Sequence, residues 1–237
     1  LGRGGLLGNT EGPESYLREL DTLPSQFCRA TGGTETVISQ GGKFYRVHTF
    51  TDTDPTSLLL NFDGANGSTT FTDDSGWGHP VTANGNAQIS TTQSKFGGSS
   101  LALDGTGDYL TGPNNSLIHV LDDDFTLEMW FRLSAAQGNY GLLSTYQAIT
   151  TSEYGYILRL DSTFIRFYYG KGASGSVAVD RTFSFSEDQW YHVAVTNSGG
   201  TGRLFIDGVQ QGATFSISGV ANSTLALQVG RVHGTTR

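Results

Sequence analysis

Phe125-Thr126-Leu127-Glu128-Met129-Trp130-Phe131-Arg132-Leu133 is the stretch on which the fold turns. In an extended chain successive side chains point to opposite sides. Phe125, Leu127, Met129, Phe131 and Leu133 therefore share one face, and Thr126, Glu128, Trp130 and Arg132 share the other. Burying each of the five apolar side chains is worth roughly 1.5 to 3 kcal/mol, and only a second layer of structure facing them can supply that burial. The stretch is expected to be a central strand of a two-layer β domain.

Working outward, the same period recurs. Tyr156 to Leu160 and Thr163 to Tyr169 read as aromatic-rich strands joined by Asp161-Ser162. Trp190 to Thr196 alternates Tyr191, Val193 and Val195 with Trp190, His192, Ala194 and Thr196. Arg203 to Ile206 and Val209 to Gln211 flank Asp207-Gly208, a two-residue hairpin signal, and Leu225 to Val229 is one more strand. Upstream, Leu58-Leu59-Leu60-Asn61-Phe62 reads as a strand entering a turn at Asp63-Gly64. Short apolar runs parted by turn residues, in a chain that is 36% hydrophobic with 33 Gly and 14 Phe, predict an all-β, two-layer antiparallel β-sandwich of the jelly-roll kind.

Ahead of the sandwich the pattern changes. Residues 1–10 are Gly-rich and unpatterned, as in a flexible or partner-bound arm. From Pro13, Tyr16, Leu17, Leu20 and Leu23 recur at helical spacing before Pro24, which predicts one short helix docked on its own sandwich or on a neighbouring subunit. Thr34 to Ser39, Gln40-Gly41-Gly42 and Lys43 to Thr51 predict a hairpin. Asp52 to Ser57, with Pro55, reads as a linker. The expected organisation is thus an anchoring arm over 1–57 and a jelly roll over 58–237. The first residue is Leu1 and no charged-then-apolar leader opens the chain, so either the start was processed away or the chain is part of something longer.

Fourteen Lys plus Arg against 22 Asp plus Glu give a net charge of −8, the wrong sign for neutralising phosphates, and nucleic acid is excluded as a partner class. No run of about 18 apolar residues predicts insertion into a membrane. The lone Cys28 forms no disulfide within the chain, which favours a reducing cytoplasm or a bacterial or viral origin over a eukaryotic secreted module.

Six blocks in order, LLLNFDG (58–64), DDSGWGH (73–79), SKFGGSSLALDGTGDYL (94–110), FTLEMWFRL (125–133), DQWYHVAVT (188–196) and RLFIDGVQ (203–210), resemble the laminin-G-like jelly roll of the concanavalin A-like lectin and glucanase superfamily. The resemblance covers about residues 58 to 233. Close relatives of this wording occur in virion proteins of tailed phages, and Val47-His48-Thr49-Phe50-Thr51 behind a Gly-Gly turn is similar to glycine-rich tail-fibre and appendage proteins. Relatives follow the segment here written Val229-Gly230-Arg231 with a final strand beside the first one. That motif is missing before Arg237, so either the chain continues or the edge at Leu58 to Phe62 is covered by residues 34–51 or by another subunit.

The superfamily's glucanases set carboxylates two and four residues apart on one strand, where period two puts them on one face. Glu128 is the sole carboxylate on the corresponding strand. The five histidines sit in unrelated contexts and no Gly-x-Ser-x-Gly elbow is present. The chain is read as no enzyme. Glu128 and Arg132 flank Trp130 and are expected to hydrogen-bond on the outer face and shield its indole. The candidate carbohydrate-binding residues are the loop aromatics Trp77, Tyr140 and Tyr146, because loops on a rigid scaffold carry recognition. His48 has no second His or Cys nearby and reads as a hydrogen-bonded strand residue, and Asp122-Asp123-Asp124 as a solvated turn. No cofactor is required. The resemblance allows a structural calcium and nominates Asp63 as a ligand, together with the missing C-terminal motif.

Two functions from different classes follow. The first is a structural and adhesive component of a phage virion, in a fibre, tail or capsid surface, held to other virion subunits as an oligomer or through residues 1–57 and touching host surface glycans weakly at each copy. The second is a carbohydrate-binding module of a bacterial secreted or cell-surface protein. The Gly-rich arm, lone cysteine, missing leader and phage-like hairpin favour a place on the virion surface.

Overall fold

The computed structural model describes residues 15–19, 34–40, 43–49, 56–135 and 138–233. The chain divides into two units, Leu1–Thr56 and Ser57–Arg237. In the first, β1 (Ser15–Glu19), β2 (Thr34–Gln40) and β3 (Lys43–Thr49) form an antiparallel sheet in the order β1-β3-β2. The hairpin expected over 34–51 is present, with Gln40 opposite Lys43. The helix expected from Pro13 is not: Ser15–Glu19 is a strand paired to β3, Leu17 opposite Val47. So short a helix is marginal on its own, whereas a strand laid along a hairpin has its backbone groups paired at once. Residues 20–24 of that expectation lie outside the described residues.

The second unit is a β-sandwich. Its strands are β4 (Thr82–Asn84), β5 (Gln88–Ser90), β6 (Ser100–Ala102), β7 (Tyr109–Thr111), β8 (Phe125–Arg132), β9 (Tyr140–Ser144), β10 (Gln147–Ile149) and β11 (Ser152–Tyr154). They continue with β12 (Tyr156–Leu160), β13 (Phe164–Gly170), β14 (Ser176–Thr182), β15 (Trp190–Ser198), β16 (Thr201–Ile206), β17 (Val209–Gln210), β18 (Phe215–Ser216) and β19 (Gln228–Val229). One layer has the order β14-β13-β12-β9-β19-β7-β4; the other has β17-β16-β15-β8 with β18 also on β16; β5-β6 and β10-β11 are separate hairpins. Every ladder is antiparallel and no helix occurs among the described residues.

The core is built from the faces that period two predicts. Phe125, Phe131 and Leu133 of the deciding stretch are buried and Leu127 and Met129 pack against them, while Thr126, Glu128 and Trp130 face out. Tyr191, Val193 and Val195 of β15 join them from the same sheet, and Leu158, Leu160, Ile165, Phe167 and Tyr169 meet them from the other. Phe125 and Phe167, one from each layer, bring their ring centroids to 6.4 Å. The Asp207-Gly208 turn has φ of 49° and 77°, the double positive φ that a two-residue hairpin of primed type requires.

Two expectations need correction. β8 is the edge of its sheet among the described residues, not a central strand, because β15 is its one neighbour there. Leu58 to Phe62 forms no ladder. Its backbone is satisfied instead by the next turn: Leu59 N donates to Asp73 Oδ1 at 3.1 Å and Asp74 N donates to Leu59 O at 2.9 Å. Phe62 then takes φ 58°, a left-handed conformation that no strand can use.

Candidate functional site

The nominated aromatics stand in different surroundings. Trp77 is 54% exposed on its loop, its ring stacked on His79 at 6.4 Å. The loop is pinned by Asp73, whose carboxylate accepts from Ser75 N and His79 N. Tyr140 opens β9, half-buried, and donates its hydroxyl to Ala135 O at 2.9 Å. Tyr146 is committed internally as well: its hydroxyl donates to Glu153 Oε1 at 3.1 Å, while the Tyr168 hydroxyl stands 2.5 Å from both Glu153 Oε2 and Ser176 Oγ. Burial pushes both tyrosines up, and the neighbouring carboxylate reinforces it. The Ser176 and Tyr168 hydroxyls hold the Glu153 carboxyl below the usual range.

Asp63 sits over a tight turn, where a Cβ on Gly97 would collide with its carboxylate. No group of three or more His, Cys, Asp or Glu side chains able to hold a metal ion gathers at Asp63 or elsewhere among the described residues. What Asp63 adjoins is the Phe96-Gly97-Gly98 turn, which Ser99 ties down by donating to Phe62 O at 2.9 Å and accepting from Gly64 N at 3.2 Å.

That turn belongs to the connection between β5 and β6 and carries an aromatic cluster onto β8. Phe96 is 66% exposed and meets the 36%-exposed Trp130 edge-on at 5.6 Å. Lys95 Nζ lies 4.2 Å from the Trp130 ring, within cation–π range. On the other side, register places His192 of β15 opposite Trp130, rings 5.2 Å apart, and His192 Nε2 approaches Glu128 Oε2 at 3.4 Å. Arg132, at the end of the row, is bound to Asp188 at 2.7 Å.

Trp130 and Glu128 of β8 and His192 of β15, with Lys95 and Phe96 laid over them from the β5–β6 connection, thus form one platform. Two large rings left half in water on a rigid sheet, with hydrogen-bonding groups at the rim, suit a ligand that has one apolar face and a polar edge. For acid–base cleavage of a glycoside the platform is short of a group, since Glu128 is the one carboxylate on the outward positions of β8 and β15. Trp130 faces outward as alternation predicts, but the residues nominated for binding were the loop aromatics, and Phe96, Lys95 and His192 were not among them. The alternation from Trp190 to Thr196 already put His192 outward; nothing local in Lys95-Phe96 shows that it lands on a strand more than thirty residues later.

A family model described as the Concanavalin A-like lectin/glucanases superfamily matches residues 104–237, more than half of the chain. No curated protein matches. Among solved structures, the chain is similar to the binding domain of botulinum neurotoxin serotype G, with a TM-score of 0.57 at 14% identity over 73% of this chain and 42% of that one. It is likewise similar to the binding domain of botulinum neurotoxin DC in complex with SialylT, at 0.54, 15%, 76% and 44%. The same neurotoxin DC domain in complex with rat synaptotagmin II gives 0.52, 18%, 73% and 43%. At such identities the likeness is one of fold, and the chain spans less than half the length of these structures.

Proposed function

We propose, starting from the fact that this chain belongs to the Concanavalin A-like lectin/glucanases superfamily, that it is a non-enzymatic adhesive protein. In this reading its jelly roll holds a sugar ring on the outward face of β8 and β15, and it serves on a phage virion as a fibre, tail or capsid-surface component. The observation that carries the glycan part is the exposed pair Phe96 and Trp130 with Lys95 above the indole and Glu128 and His192 beside it. The CH face of a pyranose lies on the more exposed Phe96 ring against the indole edge, and the three polar side chains exchange hydrogen bonds with its hydroxyls. One such contact is weak. Many copies linked in one particle gain a factor of about 10² to 10⁴ without any new contact.

Support for the virion role comes from the sequence, in the Gly-rich residues 1–10 and the phage-like wording of Val47 to Thr51; in this reading residues 1–57 anchor the chain to other virion subunits. A second reading, a carbohydrate-binding module on a bacterial secreted or cell-surface protein, is favoured by the neurotoxin binding domains among the similar structures. It shares the platform and differs in what the chain is attached to.

The glycan part is tested by multimerising the chain on streptavidin and applying it to a glycan array, beside Trp130→Ala and Phe96→Ala. Both substitutions are expected to lower the signal about tenfold or more, with urea unfolding little changed because both rings are largely outside the core. Undiminished binding by Trp130→Ala would refute the platform. Mass spectrometry of purified particles, looking for peptides spanning residues 125–133, decides between virion and bacterial surface; their recovery only from the cell envelope or medium would refute the virion role.

A further inference from the structure

The opposite end of the β8–β15 pair opens into a cleft of about 460 Å³. Its polar wall is Asp122, Asp124 and Asn197, its floor is Leu121, Ile217 and Val220, and its rim includes Gly199, Gly200 and Gly219. These glycines have φ of 55°, 78° and 62°, so the rim is bare backbone held in a conformation that side-chain-bearing residues rarely adopt.

Asn197 lies on the inward row of β15, opposite Phe125, and is 6% exposed. Its Nδ2 donates to Asp123 O at 2.8 Å, which fixes the amide, and its Oδ1 accepts no hydrogen bond among the described residues. An acceptor buried without a partner is costly, and folds seldom keep one without use. Asp124 is consumed internally, accepting from Gly199 N at 2.7 Å and Ser198 Oγ at 3.1 Å. Asp122 is exposed and is approached on one oxygen by Asn222 Nδ2. The cleft has an excess of acceptors, so its occupant must bring donors.

A cation and a polyol both qualify, and the floor decides between them. A hard cation wants six to eight oxygens around it, whereas Leu121, Ile217 and Val220 give this lining an aliphatic floor. A sugar ring offers hydroxyl donors along its edge and CH groups on its face. We infer that the cleft is a second carbohydrate subsite, taking one sugar ring whose hydroxyls donate to Asn197 Oδ1 and Asp122 and whose CH face lies on Leu121, Ile217 and Val220. The inference rests on the glycan reading of the platform and extends it. Five residues of strand separate Phe125, level with the cleft, from Trp130, roughly 17 Å at about 3.4 Å per residue. One ring cannot touch both, so the two sites take separate units.

The test is a nuclear magnetic resonance titration of the ¹⁵N-labelled full chain with the methyl glycosides of glucose, galactose, mannose and N-acetylglucosamine, with N-acetylneuraminic acid, and with calcium chloride. At least one sugar is expected to shift the amides of Gly199, Gly200 and Gly219. Asp122→Ala, at an exposed position that leaves the fold intact, weakens that response about tenfold, and Trp130→Ala leaves it unchanged. Sugar shifts at the Trp130 indole with none at the three glycines would overturn the second subsite and leave the platform standing. Shifts at the glycines alone would do the reverse. A response there to calcium and to no sugar would make the cleft a cation site and overturn the inference.

Discussion

Replacing Asp73 by alanine tests whether one carboxylate organises both the Trp77 loop and the entry segment of the sandwich. Asp73 is 7% exposed. Its Oδ1 accepts from Leu59 N at 3.1 Å and Ser75 N at 3.0 Å, and its Oδ2 accepts from His79 N at 2.9 Å. Hydrogen bonds to a charged group are worth roughly 1.5 to 3 kcal/mol each, and water can reach the freed amides of this surface loop in part, so a loss of about 3 to 5 kcal/mol is expected for Asp73→Ala. For a unit of this size that is a drop of roughly 6 to 20 °C in melting temperature. Asp73→Asn keeps an acceptor for Leu59 and Ser75 but turns an amide NH₂ toward the His79 N–H, so it should fall between the two.

The sign with pH follows from the same geometry. Burial pushes the Asp73 carboxyl up, but hydrogen bonds from Ser75, His79 and Leu59 outweigh it and hold it below the usual carboxylate range. A depressed folded value stabilises above the unfolded value of about 3.9 and is lost as pH falls through the folded one. The gap between wild type and Asp73→Ala, read from urea midpoints, should be widest above about pH 4 and narrow below it. A gap under about 1 kcal/mol at neutral pH, or one that does not narrow in acid, would refute the reasoning.

Phe167→Ala empties a fully buried site that touches Phe125, Tyr169 and Phe215 and should cost about 3 to 5 kcal/mol by chemical denaturation; a smaller loss would mean the two layers are not joined there. Gly141→Ala places a Cβ 2.5 Å from the Arg231 carbonyl carbon and 2.7 Å from Val232 N, forcing backbone apart, and should destabilise by about 1 to 3 kcal/mol where a solvent-facing glycine would tolerate the change. Burial lowers the affinity of His119 and His233 for protons, outweighing Asp122 near the first and the Ala226 carbonyl bound to the second. Their neutral forms therefore stabilise above about pH 6.5, and that contribution is lost as pH falls below it. Urea midpoints should decline from about pH 6.5 downward, and His119→Gln with His233→Gln should flatten the decline; a flat wild-type profile would count against it.

What could be read from the chain was whatever repeats within a few residues. The two-sided alternation of Phe125 to Leu133, the β12–β13 hairpin and the Asp207-Gly208 turn each carry their own instruction, because period and φ preference are local. The helix expected at Tyr16 failed because helical spacing over so few residues does not outweigh a neighbouring strand. The strand expected over Leu58 to Phe62 failed because Asp73, fourteen positions after Leu59, offers the Leu59 N–H a better partner. The candidate site was half legible: Trp130, Glu128 and His192 lie outward by parity, but the arrival of Lys95 and Phe96 on the indole is a tertiary event. The Asp122-Asp123-Asp124 run is the exposed turn its charges suggest, and its Asp124 also fastens the β15–β16 connection by holding Ser198 and Gly199.

β19 is only two residues long, yet Gln228 and Val229 sit between β7 and β9, opposite Leu110 and Thr111 on one side and Leu143 and Ser144 on the other. During synthesis the larger layer is therefore two half-sheets waiting for a zipper tooth that leaves the ribosome more than eighty residues after the strands it joins. Until it arrives, the facing edges of β7 and β9 are unsatisfied and open to pairing with other nascent chains. Expression yield should thus be governed less by the composition of the core than by how soon that last small segment finds its slot.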